Sequence, residues 1–135
     1  MDILIIDGQG GNLGRQLTKR LKEALPQADV TAVGTNSTAT ENMLKGGADH
    51  AATGENAVIV NARRAKVIAG PLGIVIADAL LGEVTPAMAR AVGSSDAVRV
   101  LIPMNRCETL VAGVGEKPMA ELIEDAVGKV VALLK

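Results

Sequence analysis

The run Ile3-Leu4-Ile5-Ile6-Asp7-Gly8-Gln9-Gly10-Gly11-Asn12-Leu13-Gly14 constrains the fold more than any other part of the sequence. Consecutive large aliphatic residues with no polar alternation suit a strand covered on both faces of a parallel sheet. The glycines that follow let the backbone turn sharply and let a ligand approach with no Cβ in the way. Leu13, Leu17, Leu21 and Leu25 then recur at every fourth position, which predicts an amphipathic helix beginning at the turn. The first N–H groups of such a helix lack intrahelical acceptors, and its dipole favours an anion. A strand, turn and helix of this kind are expected to seat a phosphate.

Hydrophobic runs and helical patterns alternate along the rest of the chain, the signature of repeated β-α units. Residues 1–135 therefore read as one α/β domain, three-layer and Rossmann-like, with a mostly parallel sheet of five or six strands. Strands are expected over 2–7, 30–34, 66–70 and 98–103, and helices over 12–25, 38–45, 56–64 and 119–134. Leu25-Pro26 closes the first helix, because proline disfavours helical geometry in the residue before it. Thr38 and Glu41 form a capping-box pattern for the second helix, and Gly46-Gly47 stops it. Thr85-Pro86 predicts an N-cap with proline at the first helical position, for a short helix through Ala91 ended by Gly93. Residues 73–81 are apolar apart from Asp78 and show no period; a helix is expected there, as the crossover between parallel strands. Residues 109–113 read as a further strand, and the short connection before it makes that strand an antiparallel edge.

Composition narrows the partners. A chain of 135 residues, 48% of them hydrophobic, can fill one core but has no room for a separate substrate domain. With no Phe, Tyr or Trp the core must be aliphatic, and stacking of bases on an aromatic platform is excluded. A formal charge of −1 with scattered Lys and Arg gives no basic footprint, so nucleic acid is not an expected partner. No positively charged leader precedes the first strand, and the apolar run 67–77 is interrupted by Gly70, Pro71 and Gly73, so no membrane association is expected. A single cysteine makes no internal disulfide, and the expected location is the cytoplasm.

Gly8, Gly11 and Gly14 make G-x-x-G-x-x-G; Leu13 stands where the G-x-G-x-x-G pattern would need its last glycine. The spacing resembles the turn of extended and atypical short-chain dehydrogenase-like Rossmann domains. That resemblance implies that the first glycine makes the turn, the second admits a pyrophosphate and the third lets helix and strand pack closely. Gly8, Gln9, Gly10, Gly11, Asn12 and Gly14 are thus the expected phosphate cradle, the alternative being a tight β-α turn with no ligand. A dinucleotide site also wants an acid at the end of the second strand, about 20 residues further on. Here that place reads Gly34-Thr35-Asn36-Ser37, and neutral donors there favour NADP over NAD. Thr35, Asn36 and Ser37 would meet a ribose or its phosphate, or form only a solvated loop and helix cap.

Ligands of doubly wound sheets bind outside the carboxyl ends of the strands, where the strand order reverses. Thr53, Asn56, Gly70, Pro71 and Gly73 are expected to line the remainder of such a site, with Pro103-Met104-Asn105-Arg106-Cys107 nearby. Short-chain dehydrogenase chemistry is excluded, because its catalytic tyrosine has no counterpart in a chain without tyrosine. Three residues are candidates for chemistry, each with a structural alternative. His50 beside Asp49 suits a general base or a surface histidine. Cys107 beside Arg106 suits an activated thiol or a bystander. Asp78, alone in an apolar run, suits proton transfer in a crevice or an internally satisfied carboxylate. One histidine and one cysteine make no metal cluster, and no metal is expected.

Several segments together extend the reading to nearly the whole chain: Ile6-Asp-Gly-Gln-Gly-Gly11, Gly34-Thr-Asn-Ser37, Gly47-Ala-Asp-His50, Thr53-Gly-Glu-Asn56, Gly70-Pro-Leu-Gly73, Ile76-Ala-Asp78, Leu81-Gly-Glu83 and Ile102-Pro103. They resemble a small bacterial family, largely clostridial, catalogued as a domain of unknown function. The resemblance implies that these segments build one site, and it carries no substrate or catalytic residue with it. The expected function is binding of a phosphate-bearing nucleotide, NADP or a related dinucleotide first. A regulatory or partner-binding module without catalysis and an enzyme acting on a small phosphorylated metabolite are the alternatives. A homodimer or higher homo-oligomer is expected, because a lone nucleotide domain leaves one side of its ligand exposed.

Overall fold

In the computed structural model, which describes residues 1–104 and 108–135, the opening apolar run forms the central strand of the sheet. β1 (Ile3–Asp7) is buried along its whole length, and the alternation of its side chains builds two cores at once. Ile3 and Ile5 point into a cluster with Leu13, Leu17, Leu21, Met43 and Val130. Leu4 and Ile6 point into the opposite one, with Val58, Ile74, Leu80, Met88 and Val92. Burial of each such side chain contributes about 1.5–3 kcal/mol relative to exposure, so this one strand anchors both layers.

The strands are β1, β2 (Val30–Gly34), β3 (His50–Thr53), β4 (Val67–Pro71) and β5 (Val98–Ile102), in the order β3-β2-β1-β4-β5. All four pairings are parallel. Helices α1 (Asn12–Ala24), α2 (Ser37–Lys45) and α5 (Met119–Leu134) cover one face; α3 (Glu55–Ala62) and α4 (Pro86–Gly93) cover the other. The order reverses between β1 and β4, which is the switch point of a doubly wound sheet.

Four expectations change. Residues 109–113 form no strand, so the antiparallel edge is absent and the sheet is all parallel with five strands. The apolar run 73–81 is a 3-10 turn (Leu72–Val75) followed by irregular turns. The helix that crosses from β4 to β5 is α4, started as expected by Thr85, whose side chain accepts from Met88 N–H. Helix α2 is capped two residues earlier than its Thr38–Glu41 pattern suggests, because Asn36 caps it by accepting from Ala39 N–H. Finally β3, which the sequence delimits poorly, is defined by its pairing with β2. No helix among the described residues is long and apolar enough to cross a membrane.

Candidate functional site

The turn after β1 sits at the switch point and is wired from both sides by carboxylates. Asp7, the last residue of β1, is buried, and its two oxygens accept from Gly8 N–H at 2.8 Å and Gly14 N–H at 2.7 Å. One side chain thus spans the turn and satisfies a first-turn donor of α1. Burial pushes the Asp7 carboxyl above its ordinary range, against the two N–H donors that favour its charge, and nearby Glu83 pushes it the same way.

The glycines divide into two kinds. A Cβ on Gly11, whose φ is +74°, would lie 2.6 Å from the Ala39 Cα; this glycine is needed for both its left-handed backbone and the close approach of α2. A Cβ on Gly14 would lie 2.8 Å from the Asp7 Cβ, so here the helix packs against the strand. Gly70 faces the Ile6 carbonyl across the β1–β4 pair, so its role is strand packing. A Cβ on Gly10, by contrast, would meet nothing within 4 Å. Gly10 and Asn12 are exposed, and among the described residues no acceptor lies within hydrogen-bond reach of the Asn12 and Leu13 N–H groups.

Glu83 is named from the sequence only within a segment that the family resemblance groups into the site, and its role at the turn is not foreseen there. It comes from the long connection between β4 and α4, and its Oε1 accepts from Gln9 N–H at 2.9 Å, Thr35 Oγ1 at 2.7 Å and Asn36 Nδ2 at 2.7 Å. Burial raises its pKa, but those three donors outweigh it and hold the carboxyl below its ordinary value. The end of β2 does carry an acid, then, delivered across space. The only signal in the sequence was Leu81-Gly-Glu83, a lone acid after a glycine beyond the fourth strand, whose contact with Thr35 lies 48 positions away.

The loop carrying Glu83 has an uncommon backbone. Asp78, Leu80 and Leu81 all have positive φ, at 67°, 56° and 56°, conformations that cost L residues energy and persist only where surroundings fix them. Asp78 N–H donates to the Val84 carbonyl at 2.7 Å, closing the loop. Buried Ala79 and Leu80 root it in the core.

The other candidates separate. Thr35 and Asn36 join the turn through Glu83; Asn36 Nδ2 also donates to the Gln9 carbonyl, and Asn42 Nδ2 donates to the Gly10 carbonyl at 2.7 Å. Ser37 and Asn56 are exposed on the same edge, at the starts of α2 and α3. Thr53 lies at the end of β3 with its hydroxyl 2.7 Å from that of Thr40. Pro71 and Gly73 are buried at the end of β4. Asp78 is exposed, neither internally bonded in the core nor desolvated. His50 opens β3 at the amino-terminal edge of the sheet, with Nε2 3.4 Å from Asp29, and cannot act at the turn. Cys107 lies outside the described residues. Among those described, no group of three His, Cys, Asp or Glu side chains converges to hold a metal.

Residues 2–135 match the family described as Domain of unknown function (DUF3842). The chain belongs to that family. A comparison with curated proteins finds no match. Among solved structures the chain is similar to a dodecameric FMN-dependent UbiX-like decarboxylase from Escherichia coli O157:H7, at 14% identity and a TM-score of 0.49, over 99% of this chain and 94% of that one.

Proposed function

We propose that this member of the family binds a small phosphate-bearing nucleotide at the carboxyl edge of its sheet. The observation that carries the reading is the open start of α1: the Asn12 and Leu13 N–H groups lie at a helix N-terminus beside the switch point, next to the unobstructed Gly10. Free N–H groups and the helix dipole together favour a phosphate there. Glu83, clamped through Oε1 at the end of β2, keeps its second oxygen for a ribose hydroxyl. The preference for NADP rested on a neutral second-strand end. A carboxylate at that place repels a 2′-phosphate, so a nucleotide with an unmodified ribose diol is the better ligand.

A second reading follows from the same carboxylate: Glu83 itself fills the seat of the ligand's anion, and binding displaces it. The two readings differ in sign. Glu83→Gln weakens nucleotide binding if the carboxylate holds ribose, and strengthens it if the carboxylate competes with phosphate.

The test is a dye-based thermal shift with NAD, NADP, their reduced forms, coenzyme A, ATP, GTP, FMN and simple sugar phosphates. A ligand at a hundred times its dissociation constant adds about 2.7 kcal/mol, a visible shift for a domain of this size. Asn12→Asp places a carboxylate at the first helical position, where it suits the dipole but opposes a phosphate. It is expected to abolish the ligand shift without lowering the unliganded midpoint. An unchanged ligand shift in Asn12→Asp removes the phosphate from this turn. We assign no catalytic step: His50 opens β3 at the amino-terminal edge of the sheet, and the exposed Asp78 makes no side-chain hydrogen bond to the turn.

A further inference from the structure

The sheet ends on β5, and among the described residues no strand pairs with its outer side. Val98 N–H donates to the Lys66 carbonyl at 3.1 Å. Val98, Val100 and Ile102 therefore turn their backbone groups toward β4, while Arg99 and Leu101 turn theirs outward. Edge strands are commonly guarded by Lys, Pro or a bulge. The five residues of β5, VRVLI, contain neither Lys nor Pro, and the Arg99 guanidinium is folded back onto the Ser95 and Ala97 carbonyls at 2.8 and 3.2 Å.

Helix α5 walls this edge into a groove of about 570 Å³. Leu122, Ala126, Lys129 and Leu133 line it, with Asp125 bonded to Lys129 at 2.5 Å. Their alternating spacing of four, three and four positions is that of a helix–helix seam. Val98 and Leu133 are 49% and 45% exposed, large apolar side chains left in solvent. Leu122 also shares a recess with Pro103, and Leu134 one with Lys66, so α5 runs antiparallel to β5. The groove is lined over 98–103 of the strand and 122–133 of the helix, whose centres are Val100–Leu101 and the turn between Asp125 and Lys129.

We propose that this face binds a second copy of the same chain, β5 pairing antiparallel with β5 about a two-fold axis through Val100. The strand register is self-complementary. Arg99 of one copy stands opposite Leu101 of the other, and these are the residues whose N–H and C=O groups point outward, so the pair exchanges both hydrogen bonds. The charges are self-complementary too: the same axis brings Asp125 of one α5 opposite Lys129 of the other, twice. A two-fold contact requires such self-matching, and an unrelated partner does not. The two sheets join into one, and the glycine turns face opposite edges of it. Each ligand site is then complete within its own chain, in contrast to the expectation that a second copy closes the pocket.

Sedimentation velocity of the full chain over a wide concentration range tests the proposal, with circular dichroism checking that every variant is folded. The wild type is expected to dimerise. Asp125→Lys and Lys129→Asp each set like charges face to face on an exposed surface and are expected to weaken association about tenfold. The double exchange restores the match and the dimer. Leu101→Pro removes an outward donor and leaves every β4–β5 donor in place, and is expected to be monomeric. A wild type that stays monomeric, a dimer indifferent to these substitutions, or single variants not rescued by the double exchange would each overturn the arrangement.

Discussion

Two connections leave the same edge of the sheet and solve the same problem in opposite ways. The turn from β1 to α1 spans a handful of residues and puts glycine where the backbone is left-handed against α2. The connection from β4 to α4 is longer, and three of its left-handed residues are Asp78, Leu80 and Leu81. In the first, the left-handed residue packed against α2 is a glycine, and the other, Gln9 at φ 49°, is held by the bond from its N–H to Glu83. In the second, conformation is held by contacts: the buried Leu80, the Asp78 to Val84 bond, and the Glu83 clamp on Gln9, Thr35 and Asn36. A turn encoded by its residue types resists changes elsewhere, whereas one held by contacts responds when a contact is lost. That contrast makes the second loop the better candidate for movement at the site.

The largest effect is expected from breaking the encoded turn. Gly11→Ala combines a positive φ with a Cβ 2.6 Å from the Ala39 backbone, and neither helix can retreat without losing core contacts. A loss of about 3 kcal/mol or more is expected in urea unfolding. Gly10→Ala, one residue away with nothing near its Cβ, is expected to gain about 0.5 kcal/mol by restricting the unfolded chain. Equal losses at the two positions would mean that the turn tolerates or rejects side chains as a whole, and the distinction between packing and open glycines would fail.

The contact-held loop is tested through Glu83. Removing a charged acceptor from three donors, as in Glu83→Gln, is expected to cost about 1–3 kcal/mol. Its pH dependence has a definite sign. A carboxyl whose folded pKa lies below its unfolded value contributes fully above the unfolded value, near 4.5, and loses that contribution as pH falls through the folded one. The stability difference between wild type and Glu83→Gln should therefore be constant near neutrality and shrink below pH 4.5. Asp7 works the other way: its raised folded pKa means that acidification returns stability. An advantage of the wild type that grows on acidification would show that the clamp is not a carboxylate one.

The same contrast explains what could be read from the chain alone. Local signals found β1, α1, β2, α4 and α5 to within a residue or two, because each has a buried periodic face or a capping residue of its own. Strand β3, with its alanines and exposed His50, carries no such signal and exists by virtue of β2. The run 73–81 misled because apolar residues root a loop in the core as readily as they fill a helix. At the site, the turn and Thr35 and Asn36 were visible as residue types, but the acid joining them was not. It arrives from 48 positions away on a loop whose path no local pattern specifies.

The smallest effect isolates backbone conformation from everything else. Leu81 has φ 56° and is 96% exposed, so its side chain contributes almost nothing while its backbone carries the left-handed penalty of about 1–2 kcal/mol. Leu81→Gly removes that penalty at an entropic cost of about 0.5–1 kcal/mol. A net gain of about 0.5 kcal/mol is expected, read as a rise of a few degrees or less in the unfolding midpoint. The gain should persist in the Glu83→Gln background, because the left-handed residues are also fixed by Leu80 and the Asp78 to Val84 bond. If it vanishes there, the clamp alone imposes the loop's backbone, and losing Glu83 lets Leu81 relax. The β4–α4 connection would then be a strap that a ligand releases by taking the place of a single carboxylate.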